Sequence, residues 1–300
     1  MGDVVDVSSD HWAIHARQWM HVGPPLRPSR FDVTYFSRRV QDWQRRNPTN
    51  EPIALVLGAT PEFARLDWPM GTMLLAIDRS MGMLRSVWPG FPKAEKGGVC
   101  ADWLRLPLPS HAVDVVVADG VWTTLDFPSG YGLLAAALRE VLHQRRGELV
   151  LRCFVAPEIP ELADKVVDDL LRGRIGSFHA FKWRLAMAMQ QGAASGIRLG
   201  EVWDFWERQR INQGELVRLL GWDPEAIATI DAYRDVNTRY TFPTLSELIR
   251  LLRGYFEEVT CEIPPYELGS RCPIIVLRQY DPVGADNNDY GSIFSGVRAL

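Results

Sequence analysis

Two apolar runs, IALVL at residues 53–57 and MLLAID at residues 73–78, bracket the stretch of sequence that decides the fold of this chain. Each run has the length of a β-strand, and turn-forming residues bound it. Continuous apolar runs of this kind are typical of strands buried on both faces, as in a parallel α/β sheet. Gly58 follows the first run, where it can take the backbone angles of a tight turn and let a ligand approach the main chain. The sequence therefore predicts two strands of a parallel sheet, with a ligand-accessible turn after the first.

The segment between the two runs carries the signals of a helix start. Thr60 is a good N-cap residue, Pro61 suits the first helical position, and Glu62 complements the positive end of the helix dipole. Asp78 then ends the second strand with a carboxylate about twenty residues after the turn, where a ribose-binding acid lies in nucleotide-binding folds. Strand, turn, helix start and acid together predict a nucleotide-like cofactor.

This layout is compatible with two cofactors. A dinucleotide places its pyrophosphate at a helix N-terminus, which requires bare backbone N–H groups and glycines. Pro61 removes one N–H group, and Glu62 adds a negative charge at the same point. S-adenosylmethionine (SAM) has a sulfonium cation and no phosphate, so neither feature disfavours it. The residues therefore favour SAM over a dinucleotide.

The composition indicates a globular protein whose main partner is neither a nucleic acid nor a membrane. With 47% hydrophobic and 23% charged residues, a chain of 300 residues can form one large α/β domain with an insertion, or two small domains. A net charge of −4 disfavours a nucleic-acid surface or an anionic membrane as partner. No apolar run approaches the roughly 20 residues that span a bilayer, and residues 1–9 lack a signal pattern, so we expect a cytoplasmic protein. Four scattered cysteines are expected to be buried thiols rather than disulfides or metal ligands: Cys100, Cys153, Cys261 and Cys272.

The first fifty residues are predicted to form a helical lid. Asp10 to Met20 has a helical pattern, and a second amphipathic helix is expected from Asp32 to Arg46. One face of the first helix carries Trp12, His15, Ala16 and Trp19. Such a face either docks the helix onto the core or covers a ligand.

Strands alternate with helices as far as residue 155, which predicts a doubly wound parallel sheet of α/β class. The rhythm stops between Ala156 and Tyr240, where the sequence reads as helices with several aromatic residues; we interpret residues 156–240 as a helical cap inserted after strand 5. A helix and two strands then follow, and residues 281–300 are expected to form a flexible tail. The further expected elements are strands at Gly98–Ala101, Ala112–Asp119, Glu148–Val155, Glu258–Ile263 and Pro273–Gln279, and helices at Tyr131–His143 and Leu245–Phe256.

The chain resembles the class I SAM-dependent methyltransferases over residues 51–280. Four segments carry the resemblance: LVLG at 55–58, AIDRSMGML at 76–84, ADW at 101–103, and LREVL at 138–142 with Gly147. The resemblance implies a seven-stranded sheet of order 3-2-1-4-5-7-6 and methyl transfer to a small-molecule acceptor. One departure is clear, because the glycine-rich loop of that family contains a single glycine here, Gly58.

The resemblance also implies a role for each matching residue. The main chain at Gly58, Ala59 and Thr60 would contact the methionine part of SAM, and Asp78 would hold the ribose hydroxyls in a charge-assisted way. Arg79 and Met83 would flank the adenine, Asp102 would accept from its amino group with Trp103 beside the ring, and Asp119 and Gly120 would lie nearest the methyl group.

The acceptor itself cannot be read from the sequence. We expect it to be bound by aromatic residues of the lid, of the loop after strand 4 and of the cap: Trp12, Trp19, Trp122, Phe181 and Trp183. His15 and Asp119 are the candidates for proton transfer, which is needed only if the acceptor atom carries a proton. No acidic cluster with metal-ligand spacing is present, so no metal is expected. A homodimer is compatible with the sequence. The alternatives are a degenerate SAM-fold binding or scaffold protein and an NAD-type oxidoreductase.

Overall fold

The computed structural model describes residues 11–90 and 96–279. Its centre is a seven-stranded sheet of order β3-β2-β1-β4-β5-β7-β6. The first five strands are parallel, and β7 runs antiparallel to both β5 and β6. This is the predicted α/β fold and the predicted strand order. The strands are β1 Ile53–Leu57, β2 Met73–Asp78, β3 Lys96–Cys100, β4 Val115–Asp119, β5 Glu148–Arg152, β6 Glu257–Glu262 and β7 Ile274–Arg278.

Strand β1 shows why a continuous apolar run is needed at the centre of the sheet. Leu55 and Leu57 belong to the core on the side of helices α4 (Ser129–Val141) and α10 (Leu245–Leu252). Ala54 and Val56 belong to the core on the side of helices α2 (Arg30–Arg46) and α3 (Met81–Ser86). Each fully buried Leu or Val contributes about 1.5–3 kcal/mol relative to an exposed one. A polar residue at any of these positions would therefore weaken one of the two layers.

Ten α-helices are found in the described residues, and they surround the sheet and form the cap. A capping box between Ser29 and Asp32 fixes the start of α2. Between β5 and α10 the chain forms the predicted helical insertion, which has a hydrophobic core of its own. A short antiparallel pair, Ile197–Arg198 with Arg239–Tyr240, joins the middle of the insertion to its C-terminal end. The helices are α1 His11–Gln18, α2 Arg30–Arg46, α3 Met81–Ser86, α4 Ser129–Val141, α5 Ala163–Leu171, α6 Phe178–Met189, α7 Leu199–Arg208, α8 Gln213–Leu220, α9 Pro224–Ala228 and α10 Leu245–Leu252.

The predicted helix start after β1 is wrong. Only one 3-10 turn, Phe63–Arg65, lies between β1 and β2, and Thr60 does not cap it. The reason is tertiary packing in the loop of residues 58–72. Phe63 is fully buried with its ring 4.4 Å from that of Phe36, and its carbonyl accepts from Trp68 Nε1 over 2.8 Å. The N–H of Asp67, which would bond to that carbonyl in a helix, donates to Ser37 Oγ instead.

Some sequence predictions lie at the edge of the described chain or beyond it. All four cysteines are described and none forms a disulfide; Cys153 and Cys272 are buried as expected, but Cys100 is exposed. Residues 1–10, 91–95 and 280–300 lie outside the described residues, so the predicted tail at 281–300 stays a prediction. Within residues 11–90 and 96–279, none of the helices has the length and apolar character needed to cross a membrane.

Candidate functional site at the carboxyl ends of the strands

The carboxyl ends of β1, β2 and β4 converge on Gly58. Its φ of +84° is a left-handed conformation that favours glycine. A Cβ atom placed on Gly58 would lie 3.9 Å from each of Asp78 Oδ2, Trp103 Cζ2 and Val121 Cγ1. The glycine thus keeps its backbone accessible at a point enclosed by a carboxylate, an indole ring and a methyl group.

Two backbone N–H groups orient the Asp78 carboxylate. Ala59 N donates to Oδ2 over 3.0 Å, and Ser80 N donates to Oδ1 over 2.8 Å. These two bonds fix the direction of the Asp78 carboxylate at the end of β2.

Trp103 and Asp102 lie in the loop after β3 and are held separately. Trp103 Nε1 donates to the carbonyl of Ile77 over 2.6 Å, which fixes the indole beside Gly58. Asp102 caps the 3-10 turn of residues 103–105, because its Oδ1 accepts from Leu104 N over 3.0 Å. Arg79 Nη1 lies 3.9 Å from the other oxygen of Asp102. Arg79 and Asp102, two of the residues predicted to bind adenine, are therefore neighbours. One oxygen of Asp102 is already engaged in capping the 3-10 turn.

Asp119, at the end of β4, is bound by a buried arginine. Arg152 Nε donates to Asp119 Oδ1 over 2.7 Å, and Arg152 Nη2 donates to Oδ2 over 3.0 Å. The third nitrogen of Arg152, Nη1, contacts Asp32 Oδ2 at 3.4 Å and the hydroxyl of Tyr266 at 3.3 Å. Tyr266 in turn donates to Asp32 over 3.0 Å. Two carboxylates thus share one guanidinium at the sheet edge.

Burial decides the electrostatics of this network. Desolvation raises the pKa of Asp119 to about 6, although Arg152 opposes the shift. The pKa of Arg152 lies well above its usual value, because its two carboxylate partners outweigh its desolvation. Desolvation also raises the pKa of the Tyr266 hydroxyl. Asp119 therefore titrates near neutral pH while it stays bound in a fixed geometry.

The other residues predicted at the end of β4 are tightly packed. Gly120 has φ +65°, and a Cβ there would lie 2.2 Å from Phe154 Cε2, so only glycine fits. Trp122 is buried with its ring 5.3 Å from that of Tyr131.

The other predicted site residues are buried in three further parts of the protein. Phe181 and Trp183 are buried in the core of the cap. Met83 lies on the buried face of α3 and belongs to the core that α3 shares with β1 and β2. Thr60 is buried in the loop after β1.

Helix α1 lies between the sheet domain and the cap. It packs against α3 and against the 3-10 turn Thr229–Tyr233 of the cap. Trp12 and Trp19 are partly buried against the core that contains α3. Arg27 stacks 4.9 Å from the centre of the Trp19 ring and its Nε donates to Glu62 over 2.8 Å. The N-terminal helix thus contacts both parts of the protein, and its role as a lid over a ligand stays a prediction. The side chain of His15 lies outside the described side chains, so its role also stays a prediction.

Two polar residues of α6, His179 and Lys182, were not predicted from the sequence, whereas their neighbour Trp183 was expected as an aromatic contact. His179 and Lys182 are buried within a run of aromatic and aliphatic residues. The sequence signal was present, since Lys182 stands between Phe181 and Trp183 in a mostly apolar helix. Its burial could be known only from the packing of the cap.

Comparisons with known proteins agree with the fold. No family model matches the chain, and no curated protein sequence matches it. The solved structures that match are mostly class I SAM-dependent methyltransferases. One match is a Rhodobacter sphaeroides protein assigned provisionally to the Zn-dependent alcohol dehydrogenases, with TM-score 0.51, 13% identity, and 88% of this chain and 97% of that chain covered.

Two further matches carry bound ligands. One is the 1,6-didemethyltoxoflavin-N1-methyltransferase of Burkholderia thailandensis with S-adenosylhomocysteine, with TM-score 0.46, 14% identity, and 83% of this chain and 78% of that chain covered. Another is the geranyl diphosphate C-methyltransferase of Streptomyces coelicolor, with TM-score 0.48, 8% identity, and 82% and 77% covered. At these identities the similarity concerns the fold alone.

Proposed function

We propose that this protein binds SAM at the carboxyl ends of β1 and β2 and transfers its methyl group to a small-molecule acceptor. The convergence of Gly58, Asp78 and Trp103 carries the proposal. A bare backbone, an oriented carboxylate and a flat ring meet within van der Waals distance of one point. These three groups suit the methionine main chain, the ribose hydroxyls and the adenosine of SAM.

Asp78 is the central cofactor residue of this proposal. Two hydroxyl groups that donate to one carboxylate form charge-assisted hydrogen bonds, which are about twice as strong as neutral ones. Since Ala59 and Ser80 already orient the carboxylate, binding costs little reorganisation. Arg79 and Asp102 lie side by side at the neighbouring strand ends, where the adenine would extend.

The shape of the loop after β1 disfavours a dinucleotide. Pyrophosphate binding of the Rossmann type uses the N-terminus of the helix that follows β1. This chain has one 3-10 turn there and no α-helix. Glu62, in the same loop, adds a negative charge that Arg27 partly compensates. The NAD-type oxidoreductase is therefore the weaker alternative.

Bound SAM would supply a methyl group on its sulfonium, for in-line transfer to a nucleophilic atom of the acceptor with S-adenosylhomocysteine as the leaving group. The protein must align the two reactants and exclude water, and these effects account for most of the acceleration. Helix α1 suits this role because it packs both against α3 and against the 3-10 turn Thr229–Tyr233 of the cap. Asp119 and His15 are the proposed proton acceptors, for acceptor atoms that carry a proton. A SAM-binding scaffold without catalysis is the second alternative, which the single glycine of the loop keeps open.

Mass spectrometry of the small molecules released from denatured protein tests the proposal. Protein purified without added ligand should release SAM or S-adenosylhomocysteine, and Asp78→Ala purified in parallel should release much less. Asp168→Ala is the matched control, because Asp168 is an exposed acid of α5. Release of a nicotinamide dinucleotide, or equal SAM release from Asp78→Ala, would contradict the proposal.

A further inference from the structure

Buried polar atoms without a hydrogen-bond partner are concentrated around the candidate site. A buried donor or acceptor left unpaired costs about 1–3 kcal/mol, so native proteins rarely keep several in one region unless a ligand or water meets them. Seven such atoms belong to the lid, to the loops after β1 and β4, and to α6. They are Gln18 Oε1, Trp19 Nε1, Glu62 Oε2, Trp122 Nε1, Thr123 Oγ1, His179 Nδ1 and Trp183 Nε1, counted over the described part of the chain.

Helix α6 carries two members of this set, His179 and Trp183, together with the buried Lys182. Lys182 and Trp183 follow His179 at i+3 and i+4, so both flank it on one face of the helix. At one end of the face, His179 Nε2 lies 2.9 Å from the carbonyl of His21 at the end of the lid. At the other end, the Trp183 ring lies 4.8 Å from that of Phe154, which follows β5. The face therefore extends from the lid to the sheet edge.

Lys182 is a buried cation that lacks an anionic partner. Its Nζ donates to Thr229 Oγ1 over 2.8 Å and lies 5.0 Å from the centre of the Tyr233 ring. No carboxylate of residues 11–90 or 96–279 forms a salt bridge with it, although buried charges are usually paired. Burial accordingly lowers the pKa of Lys182 to about 7. An anion at this point would restore the charge and the missing pairing.

His179 offers the complementary group. Because its Nε2 faces a carbonyl oxygen, Nε2 carries the proton and donates. Burial, together with the charge of Lys182, lowers the pKa of His179 to about 4, so the ring is neutral at physiological pH. In a neutral imidazole the second nitrogen is a bare acceptor, and Nδ1 of His179 is buried without a donor. It can accept a hydrogen bond from a ligand hydroxyl.

We propose that this face of α6 binds the methyl acceptor and that the acceptor is a hydroxylated carboxylic acid. Its carboxylate pairs with Lys182, its hydroxyl donates to His179 Nδ1, and its apolar body lies on Trp183. The inference rests on the proposed function, because Trp183 packs on Phe154, and Phe154 packs against Gly120 at the end of β4, where the methyl group of SAM is expected. Movement of α1 gives access, since the lid covers the end of the face at His21.

Calorimetric titration with three related probes tests the site. The probes are 4-hydroxybenzoate, benzoate, which lacks the hydroxyl, and methyl 4-hydroxybenzoate, which lacks the charge. Wild-type protein should bind 4-hydroxybenzoate most tightly. Lys182→Met should weaken this binding about tenfold or more, as expected for a lost hydrogen bond to a charged group, and should remove the preference for the acid over the ester. His179→Phe should remove the preference over benzoate.

Controls separate this inference from a folding defect and from the proposed function. A methionine replaces the buried ammonium by an apolar chain of similar length, so Lys182→Met should fold, and circular dichroism checks this. Lys165→Met, in exposed α5, should bind all probes like the wild type. S-adenosylhomocysteine should bind equally to wild type and Lys182→Met; its failure to bind either would overturn the proposed function only. Wild-type protein without preference for the acid over its ester, or binding that survives Lys182→Met, would overturn the acceptor site.

Discussion

The backbone N–H of Ala59 donates a 3.0 Å hydrogen bond to Oδ2 of Asp78, which joins the loop after β1 to the end of β2. The bond does two things at once. It holds the loop against the strand although no helix follows β1, and it directs the carboxylate towards the open side of Gly58. Under the proposed function we therefore expect the single glycine of this loop to suffice for SAM binding, because the bond to Asp78 orders the loop in place of a helix.

Gly58→Ala should lower SAM affinity for a steric reason. Both Gly58 and Gly192 have a left-handed backbone, with φ of +84° and +91°, so alanine should cost each about 1–2 kcal/mol of stability. Nothing lies within 4 Å of a Cβ at Gly192, whereas a Cβ at Gly58 points between Asp78 and Trp103. Gly192→Ala is thus the matched control. Calorimetry should show weaker SAM binding for Gly58→Ala alone; equal affinity in the two variants would contradict the assignment.

Arg152→Met should destabilise the protein by about 3–5 kcal/mol, because it leaves the Asp119 and Asp32 carboxylates buried without their shared cation. Arg45→Met is the control, since Arg45 pairs with Asp42 at the surface and such pairs contribute about 1 kcal/mol or less. Urea unfolding measures both. Losses of the same size would show that the buried network contributes no more than a surface pair.

Asp119 should make stability depend on pH in an unusual direction. The pKa of Asp119 is about 6 in the folded protein, against 3.8 for an ordinary aspartate side chain. Between these two values the folded state binds more protons than the unfolded state. The corresponding stability is present below about pH 4 and is lost as pH rises through about 6, by on the order of 3 kcal/mol. The stability of the wild type relative to Asp119→Asn should therefore shrink between pH 4 and pH 7. A relative stability that grows over this range, measured by urea unfolding, would show a depressed pKa instead.

Removing residues 1–23 should expose the site without unfolding the sheet. The buried members of the three core clusters all lie outside this segment, so circular dichroism should stay close to that of the full chain. His179 would lose the carbonyl of His21, and acrylamide should quench the remaining tryptophans more strongly. Unchanged quenching in a folded truncated protein would mean that α1 covers nothing of consequence.

The parts of the site that follow from local sequence were predictable. Gly58 and Asp78 each end a strand, and the ends of neighbouring parallel strands meet at one sheet edge. The pairing of Asp119 with Arg152, and of Arg152 with Asp32 and Tyr266, joins segments far apart in the chain. No local pattern contains such partners.

The mistaken helix after β1 has a different cause. Thr60, Pro61 and Glu62 are valid start signals, but the carbonyl of Phe63 and the N–H of Asp67, which would pair in a helix, bond to the side chains of Trp68 and Ser37. Tertiary contacts outweigh local propensity here, and those partners are not visible in the local sequence. In α6, by contrast, the spacing of His179, Lys182 and Trp183 was visible, and what could not be known was that the cap would bury that face.

The most direct test of the central claim is calorimetric titration of SAM into wild-type protein, Asp78→Ala and Asp78→Asn, with Asp168→Ala as control. Loss of a charged, bidentate partner costs roughly 1.5–3 kcal/mol, so both Asp78 variants should bind SAM about tenfold more weakly or worse. Asn keeps one side-chain carbonyl oxygen, which can accept from the backbone N–H of either Ala59 or Ser80, whereas Ala can accept from neither. The control should bind like the wild type. Unchanged SAM affinity in a folded Asp78 variant would contradict the account.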